Sequence, residues 1–374
     1  MTKDIRQSQQ NICKNQKPPF AIIDMGSNSF RLCIFDDSKV GADKKLKFVE
    51  TCRMGEGFHE NLEIQPIPFD RCVKTCEKFV EICNNYGVFK IYCFATATVR
   101  EAVNRESFLS ACKNLGLDIH ILSGEQEALC GFLGASGGLD FDDISDDISD
   151  DISDVKSATD VATCDTDNMT CPNGSNIAIL DIGGASTEVA IGNIQGFKGL
   201  FSGKDGFPSV EEIREKSKGT YMGLESSPIK FSHSFKVGAV RLTDKFSEDF
   251  QAEKAFLNET FAVCENDLNL ENTVLLGIGG TITALCGLVL GCENYNPQLH
   301  GFTASTAKMQ SLSASICAMT KTERASLPHL KDKRKEIIAA GGVLLASALE
   351  FFNATSITAS LTDNLEGYRA YLGI

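Results

Sequence analysis

A short segment that occurs twice constrains the fold of this chain more than any other feature. The first copy, residues 21–30, reads AIIDMGSNSF, and the second copy, residues 178–187, reads AILDIGGAST. Each has an apolar run, an Asp, a Gly and small hydroxyl or amide residues, and each leads into an aliphatic segment. One such pattern predicts an ordinary strand, turn and strand. Two copies with the same internal spacing predict a duplicated fold with a cleft between its halves.

The turns of these segments have the composition of anion-binding loops. A Gly lets the backbone approach a ligand closely, and successive turn N–H groups form a concave anion site. A third such turn follows the apolar segment 273–278. The candidate phosphate contacts are Gly26, Ser27, Asn28 and Ser29, then Gly183, Gly184, Ala185, Ser186 and Thr187, and finally Gly279, Gly280 and Thr281. The acids that end the repeated strands, Asp24 and Asp181, suit Mg²⁺ or a water molecule.

One Arg stands near a predicted helix start. Thr98 and Glu101 have the spacing of a capping box, which places Arg100 in the first helical turn. A cation there opposes the helix dipole unless an anion lies nearby. Two interpretations stay open: a solvent-exposed Arg, or a guanidinium that binds a phosphate bidentately.

Two acids stand at the next predicted helix start. Ser123 and Gln126 form a second capping box, so Glu125 and Glu127 fall in the first turns of the helix. Acids in a first turn often only stabilise the helix dipole, and this alternative stays open. The helix follows the predicted strand 119–122, however, and open α/β sheets carry their chemistry where strands end. This position favours a functional carboxylate.

Length and composition exclude several classes of protein. A chain of 374 residues is long enough for two domains, and it has no run of eighteen apolar residues that would predict a membrane span. The first nineteen residues are polar and predict a disordered leader rather than a signal peptide. The net charge of −14 argues against general binding to nucleic acid. Residues 140–171 contain eleven Asp and one Lys, and their repeated DDIS tetrapeptide predicts a disordered surface insertion.

The sequence contains fifteen cysteines but no C-x-x-C pair, and this argues against a zinc site. Cys72, Cys76 and Cys83 lie on the apolar side of a predicted helix, residues 69–86. We therefore expect reduced thiols that pack as small core residues in a cytoplasmic protein.

The other predicted elements are strands at 47–53, 90–95, 119–122, 273–278 and 356–362, and helices at 253–268, 308–319, 331–349 and 364–372.

Seven motifs, in order, resemble one known family. They are DMGSNSFRL, ATATVREAVN, SGEQEA, LDIGGASTEV, VGAVRLT, GIGGTITAL and LPHLKDKRKEIIAAG, and they cover about residues 20–372. The chain resembles the exopolyphosphatase and guanosine pentaphosphate phosphohydrolase family. The resemblance implies an α/β fold of duplicated ribonuclease H-like domains, of the actin-like ATPase superfamily, around an interdomain cleft. The expected parts are a leader at 1–19, domain I at 20–136, the insertion at 137–175 and domain II at 176–374, with a last helix able to pack back on domain I.

The resemblance also implies an activity. A family member of this kind hydrolyses the terminal phosphoanhydride of inorganic polyphosphate or guanosine pentaphosphate with Mg²⁺, and K⁺ is a second candidate ion. By motif position, Glu127 resembles the catalytic base, assisted by Arg100. Asp24, Asp181 and Glu188 resemble metal contacts, and Arg334 resembles a phosphate contact. We expect no nucleic-acid or membrane partner, and a homodimer is one option.

Three departures from the family pattern leave rival functions open. Ala185 stands where the family usually has a third Gly, and Gln126 stands where a second Glu is common. The helical extension of longer members is not expected after the second domain. Two alternatives stay open: a kinase or ATPase of the same superfamily, which the turns alone do not exclude, and a non-catalytic sensor of polyphosphate or a guanosine alarmone, which Ala185 favours.

Overall fold

The computed structural model describes residues 18–39, 44–58, 61–137, 176–193, 229–264, 270, 273–293, 296–330 and 332–374. The predicted leader, apart from its last two residues, and the insertion, apart from its first residue, lie outside these ranges. The chain divides into two compact units, which meet in sequence between Leu122 and Ser123.

The first unit is a five-stranded sheet covered by helices. Its strands are β1 (Phe20–Met25), β2 (Phe30–Phe35), β3 (Lys45–Glu50), β4 (Lys90–Ala95) and β5 (Ile119–Ile121). Its helices are α1 (Pro66–Asn85), α2 (Ala97–Glu101) and α3 (Arg105–Asn114). The strand order is β3-β2-β1-β4-β5, with β1 antiparallel to β2 and parallel to β4. Buried apolar residues such as Ile23, Leu32 and Phe79 form its core.

The second unit repeats this arrangement with one added strand. Its strands are β6 (Asn176–Ile182), β7 (Thr187–Asn193), β8 (Ile229–Phe235), β9 (Val274–Ile278), β10 (Thr303–Ser305) and β11 (Ser356–Ala359). Its helices are α4 (Gly124–Ser136), α5 (Ala239–Phe246), α6 (Phe250–Phe261), α7 (Gly279–Leu290), α8 (Thr306–Ala318), α9 (Lys321–Ala325), α10 (Asp332–Lys335), α11 (Ile338–Phe351) and α12 (Asn364–Leu372). The strand order is β10-β11-β9-β6-β7-β8.

The two sheets share one topology, which confirms the α/β class and the predicted duplication. In each, an antiparallel hairpin built from the repeated segment continues on one side to a third antiparallel strand. On its other side, the first strand of the hairpin pairs with a parallel strand. The duplicated sequence therefore occupies the centre of each sheet.

The helix that carries Glu127 belongs to the second unit. Helix α4 packs on α12, and the two backbones meet at glycines: a Cβ on Gly134 would overlap the Asp363 carbonyl, and a Cβ on Gly367 would overlap the Cys130 carbonyl. Only glycines permit such close backbone contact. The compact units consequently divide before α4, whereas the sequence predicted a domain boundary after it, at residue 136. The last helix packs on residues 124–136, which belong to its own unit, the second.

Helix α1 buries the three cysteines that the sequence placed on its apolar side. Cys72, Cys76 and Cys83 are at most 1% exposed and carry free thiols. Cys76 Sγ lies 3.9 Å from Cys112 Sγ on α3 without a bond between them. Burial raises the pKa of the Cys83 thiol to about 11, so this thiol stays protonated and acts as a packing group.

Three local predictions are wrong. Helix α2 begins at Ala97 with Thr96 as its N-cap residue, and no side chain caps it, so Thr98 and Glu101 form no capping box. The basic run 331–335 does not open the following helix, because α10 ends at Lys335 and α11 begins separately at Ile338. Helix α6 ends at Phe261, earlier than residue 268, and a 3₁₀ turn follows it.

Candidate active site

Three polar residues form a row across neighbouring strands of the second sheet. Asp181 on β6 pairs in register with Glu188 on β7, and Glu188 pairs in register with Ser234 on β8. Residues in register point to the same face of a sheet, here the face that also packs on α4. Ser234 Oγ donates a hydrogen bond of 2.7 Å to Glu188 Oε1. The row therefore brings two buried carboxyl groups together on one face.

Helix α4 brings a third carboxyl group to this row. It begins with the predicted capping box: Ser123 Oγ accepts from the Gln126 N–H, and Gln126 Oε1 accepts from the Ser123 N–H. A Cβ on Gly124 would lie 3.0 Å from Ser234 Oγ, so the helix starts directly on the end of the row. Glu127 follows and is 6% exposed, whereas Glu125 is exposed. The structure thus separates the two acids that sequence alone left equivalent.

The pKa of Glu188 is affected by its burial and by the other acids near the row. Burial raises the pKa of Glu188 well above its usual range, and the charges of Glu127 and Asp181 raise it further. Hydrogen bonds from Ser234 and Ser186 act in the opposite direction. Carboxylates this close need a proton or a cation between them to coexist. A shared proton and a bound cation are thus the two ways to neutralise the row.

The β6–β7 turn is held by the helix that follows β8. The carbonyl oxygens of Gly183 and Gly184 accept hydrogen bonds from the N–H groups of Ala239 and Val240 at the start of α5, at 3.0 and 2.9 Å. Ser186 is 4% exposed and bonds to Glu188. With its carbonyls turned to α5, the turn is a rigid candidate for holding phosphate.

Two residues of this turn have structural partners that the sequence did not predict. The Thr187 hydroxyl is fully buried and donates to the Val237 carbonyl at 2.7 Å, so it serves the fold rather than a phosphate. The Ala185 carbonyl accepts from Arg241 Nε at 3.0 Å. Arg241 therefore brings a guanidinium to the turn.

The start of α7 adds the third predicted turn. Gly279 has φ +84°, a left-handed conformation that favours Gly, and a Cβ there would lie 3.6 Å from Asp181 Cγ. A Cβ on Gly280 would lie 2.7 Å from Arg334 Cζ, so the guanidinium rests on the glycine backbone. Thr281 is buried beside them. An Arg at the N-terminus of a twelve-residue helix fits the predicted phosphate contact.

In the first unit, the corresponding turn is held by helix α2 and by the loop after β3. Ser27 Oγ accepts from Thr98 Oγ1 at 2.7 Å, and the Ser27 carbonyl accepts from the Gly55 N–H at 2.9 Å. Asn28 Nδ2 donates to Ser29 Oγ at 3.2 Å. A Cβ on Gly26 would lie 3.0 Å from the Ser29 carbonyl oxygen, which explains the Gly there. The predicted contacts of this turn therefore lie together.

The two hairpins differ at one cross-strand position. Asp24 pairs in register with Arg31 and accepts a hydrogen bond of 2.7 Å from Arg31 Nε. At the equivalent positions of the second hairpin, Asp181 faces Glu188. The first carboxylate is thus neutralised by a guanidinium, whereas the second faces another acid. Of the three predicted metal contacts, Asp181 and Glu188 have the environment of a cation site, and Asp24 is in an ion pair.

Arg100 lies where the sequence did not place it. It falls in the last turn of α2, where a cation is favourable for the helix dipole, so the dipole argument for a bound anion is wrong. Arg100 Nη1 donates a hydrogen bond of 2.8 Å to the Leu122 carbonyl, at the end of β5. Its predicted role in catalysis therefore rests on the family resemblance alone.

Magnesium fits the acid pair of the second sheet. Within the described ranges, no group of three or more His, Cys, Asp or Glu side chains is placed to hold a metal ion. Mg²⁺ does not need one, because it commonly binds one or two carboxylates, several waters and the substrate's phosphates. Buried, facing oxygen ligands suit such a hard cation.

Several residues of the site escaped sequence reasoning. The pairing of Arg31 with Asp24 could have been predicted from the sequence. Each hairpin pairs residues that are seven positions apart: Asp24 with Arg31 in the first copy, and Asp181 with Glu188 in the second. Ser234 and Arg241 meet the site only through tertiary contacts, and no local sequence signal identifies them.

Comparison with known proteins identifies a family for most of the chain. A family model described as "Ppx/GppA phosphatase family" matches residues 44–146 and 217–370. A bifunctional 3-dehydroquinate synthase/phosphatase of Fusobacterium nucleatum is 26% identical over 367 residues, which cover 93% of this chain and 45% of that protein. A guanosine-5'-triphosphate,3'-diphosphate pyrophosphatase of Aeromonas salmonicida is 24% identical, over 92% of this chain and 57% of that protein. The chain thus spans about half the length of these relatives.

Two further matches extend over whole proteins. Exopolyphosphatase 2 of Mycobacterium tuberculosis is 22% identical over 93% of this chain and 96% of that protein. The crystal structure of an exopolyphosphatase from Cytophaga hutchinsonii superposes with a TM-score of 0.69 at 20% identity, over 95% of this chain and 98% of that one. At this identity the superposition establishes the fold.

In the described part of the chain, no helix has the length and apolar character needed to cross a membrane.

Proposed function

The chain belongs to the Ppx/GppA phosphatase family, and on this premise we propose that it hydrolyses the terminal phosphoanhydride of inorganic polyphosphate and releases orthophosphate. A relative of matching length carries the name exopolyphosphatase, which favours polyphosphate as the substrate class. The observation that carries the proposal is the buried carboxyl group of Glu127 at a capped helix start, near Glu188, which faces Asp181 in register.

In this proposal, the chain binds phosphate through backbone and guanidinium groups. The β6–β7 turn and the start of α7 offer N–H groups, and Arg334 rests on Gly280 beside them. Backbone donors and guanidinium groups suit phosphate oxygens because they provide several directed hydrogen bonds. The Gly26 to Ser29 turn and Arg100 are the candidate contacts of the first unit.

Asp181 and Glu188 would hold Mg²⁺, which, when bound, offsets the negative charge of the phosphate oxygens during transfer. Ser234 orients Glu188 through its hydrogen bond. The capping box fixes the first turn of α4, so the Glu127 carboxyl group stays in one place. Glu127 then orients a water molecule and accepts its proton as the water attacks the terminal phosphorus. K⁺ as a second ion stays a prediction.

A pair of substitutions on one helix tests this role. Glu127→Gln keeps the size of the side chain but removes its basic carboxylate, so the rate of phosphate release should fall by roughly 10²- to 10⁴-fold. Glu125→Gln is the matched control, because Glu125 is exposed on the same helical turn. It should leave the rate near that of the parent. Equal and small losses in both variants would remove Glu127 from the mechanism.

A panel of substrates separates the proposed function from its alternatives. Phosphate release is measured with polyphosphates of several lengths, guanosine pentaphosphate and ATP. The name of the Aeromonas salmonicida relative favours guanosine pentaphosphate as the second candidate. A requirement for an acceptor other than water would identify a kinase, and tight binding of polyphosphate without turnover would identify a sensor. A cytoplasmic location, a homodimer and the absence of nucleic-acid or membrane partners stay predictions.

A further inference from the structure

A buried amide touches the acid pair from the last helix of the chain. Asn364, the first residue of α12, is 3% exposed, and its Nδ2 donates a hydrogen bond of 2.7 Å to Asp181 Oδ2. We propose that Asn364 is a positioning residue, which fixes the Asp181 carboxylate in the orientation that binds Mg²⁺. The proposal rests on the proposed function for the role of that metal.

The bond from Asn364 sets the rotation of the Asp181 carboxyl group. With Oδ2 held by the amide, the other oxygen, Oδ1, lies against Gly279 at the start of α7. Gly279 leaves this space open because it has no Cβ. One oxygen is thus anchored in the protein, and the other points to the turn that is the candidate phosphate site.

The chemical nature of the anchor matters as much as its position. In the first hairpin, a guanidinium from Arg31 holds Asp24 and cancels its charge. An amide orients a carboxylate equally well but leaves its negative charge in place. A second acid, Glu188, faces Asp181 in register. The second hairpin therefore keeps the charge that a cation requires.

Asn364 also joins Asp181 to the helix that carries Glu127. A Cβ on Gly131 would lie 3.0 Å from Asn364 Oδ1, and Gly131 stands one helical turn after Glu127 on the same face of α4. The Asn364 Oδ1 atom is buried and has no hydrogen-bond partner in the described part of the chain. Leaving an acceptor unpaired is unfavourable for stability. Stability alone therefore does not explain why an amide occupies this position.

The test replaces the amide with an apolar group. Asn364→Leu removes both the donor to Asp181 and the unpaired acceptor, and Asn364→Ala does the same without added volume. Binding of Mn²⁺, as a substitute for Mg²⁺, is measured on the full chain without substrate by electron paramagnetic resonance. We expect both variants to bind Mn²⁺ about 10- to 100-fold more weakly, the usual effect of losing a group that orients a metal ligand. We also expect kcat/KM for phosphate release to fall by a similar factor, with melting temperatures near that of the parent.

A control variant separates positioning from helix packing. Gln126 Nε2 donates to the Tyr371 hydroxyl at 3.0 Å, a hydrogen bond that joins α4 to α12. Tyr371→Phe removes this bond and should leave Mn²⁺ affinity unchanged. Unchanged Mn²⁺ affinity in both Asn364 variants, equal weakening in Tyr371→Phe, or no Mn²⁺ binding by the parent would overturn the proposal. If the parent binds Mn²⁺ but cleaves no substrate, the proposed function fails, and the affinities still decide the role of Asn364.

Discussion

A buried acid far along the chain from the predicted catalytic residues should make the stability of the protein depend on pH. Glu253 lies in the first turn of α6 and is fully buried. Neither carboxyl oxygen has a hydrogen-bond partner in the described part of the chain. Glu248, whose charge lies near Glu253, is itself bonded by Arg324. Burial raises the pKa of Glu253 from its ordinary value of 4.5 to about 7, and the charges of Asp249 and Glu248 add to the rise.

The size and sign of the effect follow from this pKa. Well below pH 4.5, Glu253 is protonated in both folded and unfolded chains and has no effect on the free energy of unfolding. As the pH rises towards 7, the unfolded chain loses its proton more readily than the folded one, so stability falls. A rise in pKa from 4.5 to about 7, at 1.36 kcal/mol per pH unit, corresponds to about 3 kcal/mol lost above pH 7. Glu253→Gln should remove this loss.

The assay compares free energies of unfolding from urea titrations at several pH values between about 5 and 8. We expect Glu253→Gln to exceed the parent by less than about 1 kcal/mol near pH 5 and by about 3 kcal/mol near pH 8. Glu259→Gln, on an exposed position of the same helix, is the matched control and should follow the parent throughout. A difference between Glu253→Gln and the parent that does not change with pH would refute the reasoning. So would a parent that gains stability relative to the variant as the pH rises.

Two further predictions concern the packing of α4 and the insertion. Gly367→Ala should destabilise the second unit by at least about 1–3 kcal/mol and lower phosphate release, because its Cβ would overlap the Cys130 carbonyl and push away the helix that carries Glu127. Gly342→Ala is the control, since a Cβ there meets only the Ser313 side chain and Cα at 3.2–3.5 Å, and similar melting temperatures for the two variants would contradict the prediction. Replacing residues 139–175 with a short Gly-Ser linker should preserve activity and tighten binding of an anionic substrate at low salt, because a net charge of −10 is removed. A folded but inactive deletion variant would show that the insertion is functional.

Local patterns in the sequence were sufficient to predict most secondary structure. The repeated hairpin, the strand 90–95 and the last helix 364–372 are found where they were predicted, because alternation, capping residues and glycines act over a few residues. The Ser123 capping box is also confirmed, whereas the one at Thr98 is wrong. Thr96 and Thr98 are two positions apart, and spacing alone does not decide which of them precedes the helix. In the structure α2 begins at Ala97, so Thr96 is the N-cap residue.

The sequence by itself also determined the duplication, since two copies of one hairpin require two similar sheets. Only the tertiary structure decided what each copy does. It buried Glu127 and exposed Glu125, joined α4 to α12 through glycine contacts, and brought Ser234 and Asn364 to the acid pair. Asn364 and Asp181 are 183 residues apart in sequence. A contact over such a distance leaves no periodic signal, because it depends on how whole elements pack and not on the residues beside it.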